Sequence, residues 1–160
     1  MADDTYTSYT VQRTAAIDAP PARIYERIVD FHAWVTWSPW EDIDPDLRRT
    51  YSGPPAGTGA SYAWSGNRRA GQGRMQITEA CEPSTVQIDL VFEKPFKGHN
   101  QTLFSIRPEG TGSHVTWTMT GQKTLMTKLM GLFVSMDKFI GPDFEKGLAR
   151  LKAGTEQPTT

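Results

Sequence analysis

The chain has 160 residues, enough for one domain with a real hydrophobic core. Its 17 Lys and Arg offset 18 Asp and Glu, so a net charge of −1 supplies no field to draw in nucleic acid or an anionic membrane. A single cysteine, Cys81, excludes an internal disulfide, and no stretch approaches the roughly 20 apolar residues of a membrane-spanning helix. Met1 to Thr10 is polar and acidic, unlike a secretion signal. These features predict a soluble, cytoplasmic protein without stable membrane insertion. Residues 1–160 read as one domain, with an ordered core from about residue 6 to 153 and flexible ends.

Tyr6 to Ile17 reads as a strand, with Tyr9, Val11 and Arg13 alternating with Thr10 and Gln12. Asp18 is a candidate cap for a helix whose first turn holds Pro20 and Pro21, where a missing N–H costs little. Ile24, Tyr25, Ile28 and Val29 form the apolar face of that helix. Asp30 caps a second short helix from Phe31 to about Val35, which Trp37-Ser38-Pro39-Trp40 ends.

Six further strands follow. They are Leu47–Ser52, Ala60–Trp64, Gly73–Glu79, Thr85–Phe92, His99–Arg107 and Ser113–Thr120. Pro95 to Gly98 interrupts the chain, and Pro108 to Gly112 reads as a loose hairpin loop. Short connections between successive strands make an antiparallel meander.

From Thr124 to Ala153 the apolar residues recur every three or four positions. Leu125, Met126, Leu129, Met130, Phe133, Met136, Ile140, Phe144, Leu148 and Leu151 form one stripe. A helix of that length spans about 45 Å, so a large surface must cover it. Pro142 after Gly141 breaks the ladder, giving either a kink or two helices meeting there; the unbroken apolar phase from Ile140 to Phe144 favours a kink. The resulting class is α+β: about seven antiparallel strands curved around a long C-terminal helix, with two short helices after the first strand.

Several local motifs occur in this order. They are Ile17-Asp18-Ala19-Pro20, then Asp30-Phe31 with Trp34, Trp37, Ser38, Pro39, Trp40 and Glu41, and Gly57-Thr58-Gly59 before a strand. Val115-Thr116-Trp117-Thr118-Met119 follows, and Asp143 to Leu148 with Leu151-Lys152 completes the series. From about residue 7 to 153 the chain resembles the helix-grip (START/Bet v 1-like) fold, and within it the bacterial polyketide cyclase/dehydrase-like SRPBCC proteins. That resemblance implies a small-molecule cavity between sheet and last helix. It leaves activity open, since the scaffold hosts carriers, cyclases, receptors and chaperone activators.

Strand parity nominates the lining of such a cavity. Tyr62, Trp64, Met75, Ile77, Ile88 and Leu90 face inward, as do Phe92, Phe104, Trp117 and Met119. Phe133, Met136 and Ile140 face them from the helix, with Trp37 and Trp40 near the mouth. Plain hydrophobic core is the alternative for each. Glu41 is the one catalytic candidate, because an aromatic setting raises a carboxyl pKa; an ion pair with an arginine such as Arg74 is the competing reading. His99 reads as an exposed histidine, and Asp89 falls on the outer face.

No metal site or cofactor is expected. His32, His99 and His114 are scattered, Cys81 lacks a partner at ligand spacing, and Gly71-Gln72-Gly73 opens no helix. Arg48-Arg49 and Arg68-Arg69 read as solvated strand ends. The expected partner is a small hydrophobic molecule (lipid, polyketide or aromatic) bound by a monomer or homodimer. A cyclase/dehydrase-type enzyme is the second reading. A chaperone-activator-like module is the third, ranked last because the sheet's outer face is polar.

Overall fold

The structure is a computed structural model and describes residues 8–94, 97–122 and 136–157. The backbone of the fold is one antiparallel sheet of seven strands, in the order β1-β7-β6-β5-β4-β3-β2. The strands are β1 (Ser8–Ile17), β2 (Arg48–Ser52), β3 (Ser61–Ser65), β4 (Gln72–Cys81), β5 (Thr85–Lys94), β6 (Gly98–Glu109) and β7 (Gly112–Gln122). β2 to β7 form the meander read from the sequence, and β1 joins it antiparallel to β7. One face carries Val11, Tyr62, Ile77, Ile88, Phe104 and Trp117, all buried. Register shifts at Gln72/Gly73 and Ile77/Glu79 interrupt the β4–β5 ladder, and bulges of this kind bend a sheet.

Pro108 to Gly112 is tighter than a loose loop. Pro108 pairs with Ser113 and Glu109 with Gly112, leaving only Gly110 and Thr111 in the turn. Gly110 sits at φ +59, where a residue without Cβ adopts the left-handed conformation at no steric cost.

Helix α1 (Pro21–Val29) buries Ile24, Tyr25, Ile28 and Val29, as its periodicity predicts. Its N-cap is Pro20, with no side-chain cap; Asp18 instead donates its backbone N–H to Glu156 Oε1 at 2.7 Å. The orphan carbonyls at the other end are satisfied from further along the chain. Trp37 Nε1 donates to Arg27 O and Trp34 Nε1 to Ile28 O, both at 2.9 Å, and Gly57 N donates to Val29 O at 3.1 Å. Trp34 lies in a 3-10 helix (Phe31–Thr36), capped by Asp30 Oδ1 accepting from His32 N at 2.9 Å, and Trp37 is the residue at its C-terminal cap.

Helix α2 (Met136–Glu156) has 21 residues, about 31 Å of rise, and it runs through Pro142 as one helix rather than splitting there. Arg13 on β1 spans the proline, with ion pairs to Asp137 on one side (2.7 Å) and Glu145 on the other (3.4 Å). Its guanidinium lies against Gly141, in space that a Cβ would take. Phe144, Leu148 and Leu151 are buried, with Met136 and Ile140 partly so. The earlier part of the stripe (Leu125, Met126, Leu129, Met130 and Phe133) lies outside the described residues, as do residues 1–5 and Pro95.

Candidate functional site

The space between sheet and helix has two different ends. Around Phe144 it is solid. Trp117 and Phe144 stack with centroids 3.9 Å apart, Phe104 lies 4.9 Å from Trp117, and Trp37 meets Trp117 edge to face at 5.6 Å. Each of these four is at most 2% exposed. Trp37 therefore sits in the core, not at a mouth, because its indole is tied to the end of α1. Trp40 is half-buried against Trp117 and Phe144. The Trp117 indole N–H is buried without a hydrogen-bond partner among the described residues, an uncommon state for a buried donor.

At the other end of the same face the packing opens. Tyr62, Ile77, Ile88, Leu90 and Met119 are still buried, whereas Trp64, Met75, Phe92, Met136 and Ile140 are only partly covered. Trp64 donates its indole N–H to Ala70 O at 2.9 Å and meets Phe92 edge to face at 5.8 Å. Gly73 makes room for it: a Cβ there would come within 2.5 Å of the Trp64 ring. Beside Phe92, where β5 ends and β6 begins, an open apolar depression of about 460 Å³ is bounded by Val91, Glu93, Lys97, Gly98 and His99, so its lining includes side chains of both faces of the sheet. Phe133 lies outside the described residues.

Glu41 reaches the inner face beside β2 and β3, and its side chain is only 8% exposed. Its ion-pair partner is Arg49 (2.6 Å), not Arg74, which pairs with Glu93 at 2.6 Å on the outer face. Arg49 precedes Tyr51 on β2 and lies across from Trp64 on β3, a parity that puts it inside. Tyr62 donates its hydroxyl to the other Glu41 oxygen at 2.9 Å. Burial first, and then the Glu41 charge, push the Tyr62 phenol far above its ordinary range, so it remains a donor. Both Glu41 carboxylate oxygens are thus already accepting, one from Arg49 and one from Tyr62. His32, paired to Asp30 at 2.9 Å, stacks on the neighbouring Tyr51 at 3.9 Å.

On the outer face Asp89 accepts from Gln101 at 3.0 Å and pairs with His99, whose side chain is 64% exposed. His99 is the second residue of β6. Among the described residues no three His, Cys, Asp or Glu side chains are grouped to hold a metal ion.

A polar pair absent from the parity list sits on the inner face. Asn100, 4% exposed, accepts the Tyr9 hydroxyl through Oδ1 at 2.5 Å. Asn100 shares the parity of Thr102, Phe104 and Ile106, so its inward direction was readable from sequence. Its partner on β1, 91 positions away, was not.

A family model described as "Polyketide cyclase / dehydrase and lipid transport" matches residues 8–156. Among solved structures, CV1439 from Chromobacterium violaceum is similar at a TM-score of 0.68 and 15% identity, with 93% of this chain and 98% of that one covered. The Aha1 dimer from Colwellia psychrerythraea follows at 0.64 and 16%, covering 92% and 96%. Ara h 8.0201 gives 0.60 and 12%, covering 93% and 95%. At such identities these likenesses establish the helix-grip fold alone. No curated protein sequence matches.

Proposed function

The chain belongs to the polyketide cyclase/dehydrase and lipid transport family, and on that premise we propose that it binds a small hydrophobic molecule between the sheet and the C-terminal helix. The molecule is a lipid, a polyketide or an aromatic. The observation carrying this reading is the asymmetry of the inner face, packed solid around Trp117 and half-covered at Trp64, Met75 and Phe92. A folded domain leaves large inward aromatics part-covered at a cost, which a bound apolar molecule removes. Glu41, Arg49 and Tyr62 supply a polar rim on the same face.

Native mass spectrometry of protein purified without denaturant tests the proposal, together with displacement of anilinonaphthalene sulfonate by fatty acids and fused-ring aromatics. A retained ligand or micromolar displacement is expected. An empty protein that neither binds the dye nor yields it to any of these compounds overturns the reading.

The second reading, an enzyme of the cyclase/dehydrase type, rests on the Tyr62 hydroxyl donated to Glu41, a carboxylate–phenol pair largely shielded from water. Glu41→Gln separates the two. Unchanged ligand affinity with lost turnover supports the enzyme, and a wild-type protein that leaves every bound polyketide unaltered supports the carrier.

A further inference from the structure

The two ends of the sheet differ in charge. Strand register sets Arg48 of β2, Ser65 of β3, Gln72 of β4 and Lys94 of β5 in one row, at the end where the inner face opens. Three inter-strand spacings put about 14 Å between the Arg48 and Lys94 backbones. Arg68 and Arg69 occupy the β3–β4 turn at this end, and Lys97 the connection from β5 to β6. All five side chains are exposed, and none is ion-paired among the described residues. Asp46 is an exposed acid beside them, whereas Glu93 is paired to Arg74 and Asp44 is buried, accepting from Asn67 N. At the opposite strand ends Asp18, Glu79, Glu82 and Glu109 are exposed, with Arg107 among them. A net charge of −1 thus conceals a basic end and an acidic one.

The basic end also holds the apolar depression beside Phe92, which Lys97 borders. Cations around an apolar opening match an anionic bilayer, whose phosphates lie outside and whose acyl chains lie within. An acidic protein would satisfy the cations and leave the apolar opening against a polar surface. We propose that this end docks reversibly on anionic phospholipid membranes. Arg48, Arg68, Arg69, Lys94 and Lys97 contact headgroup phosphates, and the depression faces the acyl layer. The contact is peripheral, because the attraction falls off within a Debye length, about 8 Å at physiological salt. Docking sets the open end of the inner face against the layer in which an apolar molecule dissolves. It goes beyond what the cavity binds, and holds or fails independently of it.

Co-sedimentation with vesicles measures the docking. Wild-type protein is expected to bind equimolar phosphatidylglycerol–phosphatidylcholine vesicles, to come off as salt rises, and to ignore phosphatidylcholine alone. Arg68→Gln/Arg69→Gln and Lys94→Gln/Lys97→Gln are each expected to weaken binding about tenfold. Glu79→Gln/Glu82→Gln changes the net charge by as much, but at the far end, and is expected to leave binding nearly unchanged. Orientation is read with a thiol-bound fluorophore and a lipid carrying a nitroxide on its headgroup. Attached at exposed Cys81, about 30 Å along β4 from Gln72, the fluorophore is expected to stay bright. Attached through Ser65→Cys, an exposed position at the basic end, in a chain that also carries Cys81→Ser, it is expected to be quenched. Three results overturn the assignment: no binding to anionic vesicles at low salt, binding that the far-end variant alters as much as the basic-end variants do, or equal quenching at both sites. Binding to soluble polyglutamate but not to vesicles also overturns it, in favour of an acidic protein. Each of these leaves the ligand-binding reading standing, which the dye and native mass measurements decide.

Discussion

Trp117 and Phe144 lie face to face, 3.9 Å between centroids and 7° from parallel, and this stack fastens the last helix to the middle of the sheet. Trp37 and Trp40 close around Trp117 at 5.6 and 5.8 Å, so the stack is walled by rings. Removing one ring leaves a void that rigid neighbours cannot fill. Phe144→Ala is expected to lower stability by about 3–5 kcal/mol, and Phe144→Leu by less. Urea unfolding followed by tryptophan fluorescence measures both; a loss below about 1 kcal/mol for the alanine variant would mean the helix is not fastened here.

Gly147 gives a test in the opposite direction. In an open helix, replacing glycine by alanine gains about 1 kcal/mol. Here the new methyl would stand 2.9 Å from both Pro39 Cδ and Trp117 Cζ3, and neither ring can move aside. Gly147→Ala is therefore expected to destabilise by about 1–3 kcal/mol. Gly154→Ala meets only the flexible tip of Arg27 at 3.2 Å and is expected to be close to neutral. Thermal melts of the two variants side by side decide it, and equal melting temperatures would refute the packing argument.

The fold was legible because alternation and spacing are local signals. Val115, Trp117 and Met119 alternate visibly, and the burial of Phe144, Leu148 and Leu151 follows from their helical spacing. The details that failed depend on contacts distant in sequence. Trp37 looked like a mouth residue because its pull toward Arg27 O is a three-dimensional fact. The sequence offers an ion pair between Glu41 and an arginine such as Arg74; the pair forms, but with Arg49, because β2 carries Arg49 past Glu41 and β4 turns Arg74 outward to Glu93. At Pro142, where the sequence allows a kink or two helices, α2 is not divided, and the ion pairs that Arg13 makes on either side of it come from a strand more than 120 residues earlier.

Acid should loosen α2 from β1. The hydrogen bond from Arg13 holds the Asp137 carboxyl below its ordinary range, and Asp42, bonded by Arg150, is depressed in the same way. A carboxyl depressed on folding contributes stability that is full above its unfolded value of about 4 and is lost as pH falls through the folded value. Asp137→Asn removes one such contribution. The melting temperatures of wild type and Asp137→Asn are expected to differ by a constant amount above pH about 5 and to converge as pH falls through the depressed folded value of Asp137. A gap that persists undiminished in acid would show that Asp137 acts through packing rather than charge.

Base acts on the opposite side of the molecule, through Tyr62. Its phenol is raised by burial and by the Glu41 carboxylate, so the folded chain keeps a proton that the unfolded chain releases near pH 10. Stability from this group is thus present below about pH 10 and falls as pH rises beyond it. Glu41→Gln removes the nearby negative charge while keeping an acceptor for the hydroxyl, so Tyr62 should ionise at lower pH than in wild type. The same change strips Arg49 of its counter-ion and is expected to cost about 1–3 kcal/mol at neutral pH. Absorbance titration of tyrosinate, with Tyr62→Phe to assign the late-titrating group, measures the shift. An unchanged late phase in Glu41→Gln would mean that burial alone holds the Tyr62 proton, and the polar rim would then carry no electrostatic coupling to offer a ligand.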